Sequence, residues 1–209
     1  MATAVLRPFI AAMQVTLDGY SLGPDGRADW VDSWADGLDL LPRVDAFVLG
    51  AGMFPGYAAF WAAIRDDPGG VARWLGRDPY RREIEYAGVA AQTPHLVLSR
   101  TLDTATWPTA RIIRDLEDLR ALKVQPGGAV YVVGGARLVR SLIDAGLLDE
   151  LRLIVHPVAV GAGAALFDGI ARRQDLELVE GVRTASGRLR LTYRLAMNAP
   201  PCAVSDAKT

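Results

Sequence analysis

The sequence predicts an α/β fold, a mostly parallel central sheet with helices on both faces that finishes in an antiparallel hairpin. Three observations carry this prediction. Short apolar runs rich in β-branched and aromatic residues, Ala46–Gly50, His95–Arg100 and Ala129–Val133, alternate with stretches of helical periodicity, as parallel β-α-β units require. Two of these runs stop on glycine and turn towards a helix. After Gly146 the rhythm changes, and Leu176–Thr184 and Leu189–Ala196 flank Ser186-Gly187 as the two arms of a hairpin.

Taken in order, Pro8–Leu17 reads as the first, central strand, closing on the turn Leu17-Asp18-Gly19-Tyr20. Gly23–Trp30 is turn chemistry throughout and is expected to be a surface loop. Leu38–Val44 suggests a short helical piece interrupted near Pro42, and Ala46–Gly50 is a second buried strand. Ala51–Tyr57 follows as a turn, and Ala58–Arg65 as a helix with Phe60, Trp61 and Ile64 on one side. Asp66–Asp78 reads as a long loop with room for a short helical turn, a place for a lid or an oligomer contact. Pro79–Ala91 returns to helix, His95–Arg100 is the third buried strand, residues 111–114 form an edge strand and Asp115–Leu122 a helix. Ala129–Val133 then runs into Gly134-Gly135, after which Leu138, Val139, Leu142 and Ile143 recur at helical spacing until Gly146. Glu150–Val160 is strand-like, with Gly161-Ala162-Gly163 as its turn.

A chain of 209 residues can bury roughly 70% of its unfolded surface as one domain, here expected over residues 1–197, with 198–209 a disordered tail. The net charge of −1 supplies no field for nucleic acid or anionic lipid, so neither is an expected partner. One cysteine, Cys202, cannot make an internal disulfide, which fits a reducing cytoplasm, and two histidines are too few for a metal centre. The apolar stretch Phe9–Val15 is too short to span a bilayer. A soluble, cytoplasmic, metal-free protein acting on a small molecule is the expectation.

In an open parallel sheet the ligand crevice lies beyond the carboxyl ends of the strands. Those ends are Gly50-Ala51-Gly52, Ser99-Arg100 and Gly134-Gly135-Ala136-Arg137. A strand–Gly-Gly–helix corner turns backbone N–H groups and the positive end of a helix dipole towards one spot, although glycine also serves simply to make such a turn. Together the glycine corners suit a diphosphate, while Ser99 and Arg100 suit a further phosphate. The first strand ends Leu17-Asp18-Gly19, without the glycine-rich helix start of a Rossmann unit.

The segments Thr16-Leu17-Asp18-Gly19-Tyr20, Phe47-Val48-Leu49-Gly50, Leu96-Val97-Leu98-Ser99-Arg100, Val130-Tyr131-Val132-Val133-Gly134-Gly135-Ala136 and Glu150–Val158, in this order, resemble the dihydrofolate reductase-like superfamily. The resemblance is to the branch containing the reductase domain of bacterial riboflavin biosynthesis. It implies a dihydrofolate reductase-like three-layer α/β/α fold and an NADPH-dependent reductase of a small heterocyclic or conjugated substrate, active as a homodimer. Gly50, Ala51, Gly52 and Met53 would lie under the diphosphate, and Ser99 and Arg100 would face the 2′-phosphate. Val133, Gly134, Gly135, Ala136, Arg137 and Leu138 would wrap the diphosphate and nicotinamide side. Relatives usually carry Arg or Lys after the glycine matching Gly50, and Thr two residues later; this chain has Ala51 and Met53. That departure opens an alternative, a non-redox ligand-binding member that kept the fold.

For the proton, Asp18 follows the family's turn motif, Asp36 lies near Trp34, and His156 alternates to one face of its strand. Each has a plainer role as well, Asp18 bonding its own turn, Asp36 on a solvated face and His156 packed in the core. Thr16, Trp30, Trp34, Tyr57 and Trp61 are the candidate substrate contacts, the aromatic ones equally suited to a core.

Overall fold

The computed structural model describes residues 6–35 and 38–196. Its strands are β1 (Phe9–Thr16), β2 (Tyr20–Leu22), β3 (Val44–Gly50), β4 (His95–Leu98), β5 (Ala110–Ile113), β6 (Ala129–Gly134), β7 (Glu150–His156), β8 (Ala164–Ala165), β9 (Leu176–Arg183) and β10 (Leu189–Leu195). The α-helices are α1 (Phe54–Asp66), α2 (Pro68–Leu75), α3 (Arg81–Gln92), α4 (Glu117–Lys123) and α5 (Ala136–Asp144), with a 3-10 turn over Leu38–Arg43. Eight strands form one sheet in the order β5-β4-β3-β6-β1-β7-β10-β9. From β5 to β7 neighbours run parallel, while β10 is antiparallel to β7 and β9 to β10.

Alternation along the strands builds two separate cores, one on each face of the sheet. Phe9, Ala11, Val48, Val130, Val132 and Leu151 meet Leu119 and Leu122 of α4 and Leu138, Val139, Leu142 and Ile143 of α5. On the opposite face Ile10, Phe47, Leu49, Val97 and Tyr131 meet α1, α2 and α3 through Trp61, Ile64, Val71, Tyr86 and Ala90. This is the three-layer α/β/α architecture the sequence predicts.

Several boundaries differ from the sequence expectation, each for a local reason. Helix α1 begins at Phe54 and not at Ala58, because Pro55 in a first turn lacks only an N–H that has no helical partner. The loop expected over 66–78 contains α2, started by the Asp67 carboxylate accepting from the Gly70 N–H at 2.9 Å and stopped by Gly76 at φ 69°. Strand β4 ends at Leu98, so Ser99 and Arg100 lie in the turn beyond it. Strand β7 ends at His156, since Pro157 has no N–H with which to continue the ladder. A small antiparallel ribbon, β2 with β8, was not legible in the sequence. It brings two backbones so close that a side chain on Gly163 would stand 2.1 Å from the Leu22 carbonyl oxygen.

The α1–α3 core contains a polar chain at its centre. His95 is completely buried, and its Nδ1–H donates to the Thr93 carbonyl at 2.7 Å while Nε2 accepts from the Tyr57 hydroxyl at 3.1 Å. Tyr86 lies 3.3 Å from the same Tyr57 oxygen, and the ring of Phe47 meets His95 edge-on at 4.7 Å. Burial penalises the charged ring and pushes the His95 pKa down from 6.5 to about 4, with the hydrogen bond to the Thr93 carbonyl acting the other way. A depressed folded-state pKa contributes stability that is intact above pH 6.5 and lost as pH falls towards 4. The gap is equivalent to about 3 kcal/mol. His95→Gln keeps a donor and an acceptor without titrating in this range. Urea midpoints measured between pH 7 and pH 4.5 should therefore fall less steeply for the variant than for the parent; equal slopes would contradict this assignment.

Candidate active site

Strand β6 lies between β3 and β1, and this insertion sets the site. Leu49 pairs with Gly134 and Gly50 with Leu98, so β3, β4 and β6 end at a common level. On the far side of β6, Thr16 ends β1 opposite His156 at the end of β7.

The corner between β6 and α5 is held open by two left-handed glycines, Gly134 at φ 117° and Gly135 at φ 67°. A Cβ on Gly134 would also stand 3.1 Å from the Met13 sulfur, whereas one on Gly135 would meet nothing within 4 Å. Leu138 and Val139 donate their N–H groups to the Gly135 carbonyl at 3.0 and 3.2 Å, which starts α5. The amides of Ala136 and Arg137 precede the first intrahelical bonds and face out of the corner with the positive end of the dipole. No acidic side chain occupies that first turn.

Across the corner, the loop after β3 is less generous than its glycines suggest. The Ala51 N–H already donates to Leu98 and the Met53 N–H to Gly50, both at 3.1 Å. Gly52 has open space where a Cβ would be, and Gly50 has only the Leu138 Cβ at 3.9 Å. The loop therefore provides room for a close approach rather than a set of free donors. Beyond β4, the Ser99 Oγ accepts from the N–H groups of Thr101 and Leu102 at 3.2 and 2.8 Å, and Arg114 donates to the Ser99 and Leu102 carbonyls. Buried Ser99 thus shapes the turn, and exposed Arg100 is presented by it without an ion-pair partner among the described residues. Arg137 is exposed on α5, while Val133 and Ala136 are half-buried and Leu138 is buried beneath the corner.

At the β1–β7 end, buried Thr16 donates its hydroxyl to the Asp18 carboxylate at 2.6 Å and accepts from the Tyr20 N–H at 3.0 Å. Asp18 also accepts from the N–H groups of Val160 and Gly161 at 3.1 and 2.7 Å. The Thr16 hydroxyl first, then the Gly161 amide, hold this carboxylate below its ordinary range. Asp18 is accordingly a clamp between the turn after β1 and the loop after β7. His156 is buried and hydrogen-bonded through Nε2 to the Gln14 Oε1 at 2.8 Å, and the Gln14 amide reaches the Ser33 carbonyl at 2.7 Å. Burial pushes the His156 pKa down; Arg188 acts in the same direction and Asp32 against it.

Two of the aromatic expectations are corrected. Tyr57 and Trp61 are 6% and 2% exposed and pack on His95 and Tyr86, so they belong to the core and not to a pocket wall. Trp30 is half-buried with a buried indole N–H that has no partner among the described residues, and Trp34 is exposed. Their segment is tied down through Asp32. Its carboxylate pairs with Arg188 at 3.0 Å and Arg82 at 3.7 Å, and its carbonyl accepts from Arg77 at 2.6 Å. Asp36 lies outside the described residues, as does the tail from 198 onwards. Gln14 escaped the sequence reading, although one polar residue within the apolar run Phe9–Val15 was its signal.

A family model described as the RibD C-terminal domain matches residues 8–189. The chain is 30% identical over 191 residues to the uncharacterised Bacillus subtilis protein YyaP, covering 90% of this chain and 94% of that one. It is 26% identical to the riboflavin biosynthesis protein RibD of Mycobacterium tuberculosis over 170 residues, 74% of this chain but only 43% of that longer protein. Among solved structures it is similar to a pyrimidine reductase-like protein of Corynebacterium diphtheriae (TM-score 0.59, 14% identity, 92% of this chain and 93% of that one). It is also similar to dihydrofolate reductase of Enterococcus faecalis complexed with NADP(H) (TM-score 0.58, 16% identity, 90% and 96%). The fold is therefore dihydrofolate reductase-like, and the chain belongs to the RibD C-terminal domain family.

Proposed function

We propose that this protein is an NADPH-dependent reductase of a small heterocyclic or conjugated substrate. The observation that carries the reading is the β6–α5 corner, where unpaired amides at a helix N-terminus adjoin Gly135 and, across the corner, Gly52, at both of which a Cβ would meet nothing within 4 Å. Relatives support it. The matched family takes its name from RibD, and a protein of the same fold, dihydrofolate reductase, is known with NADP(H).

The residues present fit such a cofactor. Ala136 and Arg137 would donate backbone N–H groups to the diphosphate, with Gly50, Gly52, Gly134 and Gly135 permitting close approach. A helix terminus contributes only about 0.3–1 kcal/mol to binding an anion when exposed, so the charges of Arg100 and Arg137 have to supply more. Arg100 is assigned to the 2′-phosphate and Ser99 to holding its turn, while Val133 and Leu138 back the nicotinamide side. The bound nicotinamide would supply the hydride, and the protein aligns two rings and manages one proton. Asp18 is held ionised by its clamp and His156 is hydrogen-bonded through Nε2 to Gln14, and Asp36 is the third candidate for the proton. Thr16, Trp30 and Trp34 are the proposed substrate side. The cytoplasm, where NADPH is available, is the proposed place of action.

Ala51 and Met53 favour a second reading, a binder that uses the same cleft without redox chemistry, since neither side chain can grip a phosphate. Titrating the protein with NADPH and NADH separates the two. Saturable NADPH binding is expected, and Arg100→Ala should weaken it about 10- to 100-fold, the effect of losing a charge-assisted contact, while leaving NADH nearly unchanged. No saturation at millimolar NADPH would overturn the reductase reading, and equal losses for both cofactors would overturn the role of Arg100.

A homodimer is also proposed. The outer hairpin exposes Leu178, Val179, Val182 and Leu189, and β9 is an open sheet edge that a second copy could cover. Sedimentation at micromolar concentration should give twice the 22.5 kDa chain mass, and Val182→Lys should lower it; a single-chain mass for the parent would remove the proposal.

A further inference from the structure

Gln14 is a buried amide on β1, on the face that Ile10 turns towards the α1–α3 layer. Its two ends meet two different elements. The Nε2 group lies 2.7 Å from the Ser33 carbonyl oxygen, in the Trp30–Trp34 segment, and Oε1 lies 2.8 Å from Nε2 of His156, at the end of β7. A backbone carbonyl can only accept, so the NH2 group has to face Ser33, and the reverse orientation would bury two acceptors against each other. The Gln14 oxygen is thereby turned to His156. That oxygen also can only accept, so the histidine nitrogen opposite it carries the proton.

The surroundings of His156 favour the neutral ring. Asp32 faces it from the Trp30–Trp34 segment and Arg188 from the β9–β10 turn, and these two are themselves paired at 3.0 Å. With Nε2 protonated and engaged, a neutral imidazole has one lone pair left, on Nδ1, and no proton there to give.

We propose that Gln14 is a positioning residue that fixes His156 as the Nε2–H tautomer and yokes it to the Trp30–Trp34 segment. The histidine, with Nε2–H engaged and Nδ1 bare, is then not the proton donor of the reaction. That last statement rests on the reductase reading; the tautomer does not.

The test is 15N NMR of tag-free protein labelled on histidine, recorded without cofactor across pH 5–8. The chain has two histidines, so His95→Gln assigns the spectrum. At pH 7 His156 should show a protonated Nε2 and a bare Nδ1, without exchange between tautomers. Gln14→Leu, which lacks the acceptor, should release the ring into a mixture of both. Gln14→Glu keeps an acceptor and adds a charge, so it should retain the tautomer and raise the titration midpoint by about one pH unit. A proton on Nδ1 in the parent protein, or an unchanged tautomer in Gln14→Leu, would overturn the proposal. Should Gln14→Leu fail to fold, the parent and Gln14→Glu spectra decide. Failure here is distinguishable from failure of the reductase reading, because NADPH binding is measured separately and neither result determines the other.

Discussion

The site depends on a backbone constraint, two consecutive glycines in left-handed conformation where β6 turns into α5. A side chain at Gly134 would be strained in its φ and crowded by Met13, and one at Gly135 would be strained although it had space. The turn they make is sharp enough to bring the start of α5 to the end of the strand. Because β6 lies between β3 and β1, that start is central and not peripheral. The apolar face of α5, packed through Leu138, Val139, Leu142 and Ile143, then holds the amides of Ala136 and Arg137 in place.

The two halves of this end of the sheet are built on different principles. On the β3–β4–β6 side the backbone provides shape and donors, and charge is confined to exposed arginines. Around β1 and β7 the polar groups are already paired with one another: Thr16 with Asp18, Asp18 with the loop at Val160 and Gly161, Gln14 with His156 and Ser33. Three arginines from separate elements converge on Asp32 and tie the Trp30–Trp34 segment over this end of the sheet. The first half is suited to receiving an anion, and the second to holding a defined geometry.

Much of this was legible in the sequence because the signals were local. The apolar runs of β3, β4 and β6 and the spacing of Leu138, Val139, Leu142 and Ile143 report burial directly, and Gly134-Gly135 marks the corner. What was not legible depended on partners far along the chain. The ribbon of β2 with β8 exists because Gly163 lets two backbones touch, and no periodicity encodes it. Tyr57 and Trp61 have the composition of a pocket wall, yet α1 turns them inward against Tyr86, more than twenty residues later. Helix α2 was hidden by Gly69 and Gly70, which lower helix propensity while Asp67 and Gly76 cap the two ends. The amides of Ala51 and Met53, available on paper, are consumed by the turn they make.

We propose that the β6–α5 corner, with the Arg100 turn, forms a nucleotide diphosphate site, and amide hydrogen exchange measured with and without saturating NADPH tests this. Slowed exchange is expected, concentrated at Gly135–Leu138 and in the turn Ser99–Leu102, with the β9–β10 hairpin unchanged. Protection that leaves Ala136 and Arg137 unaffected and appears elsewhere would contradict it.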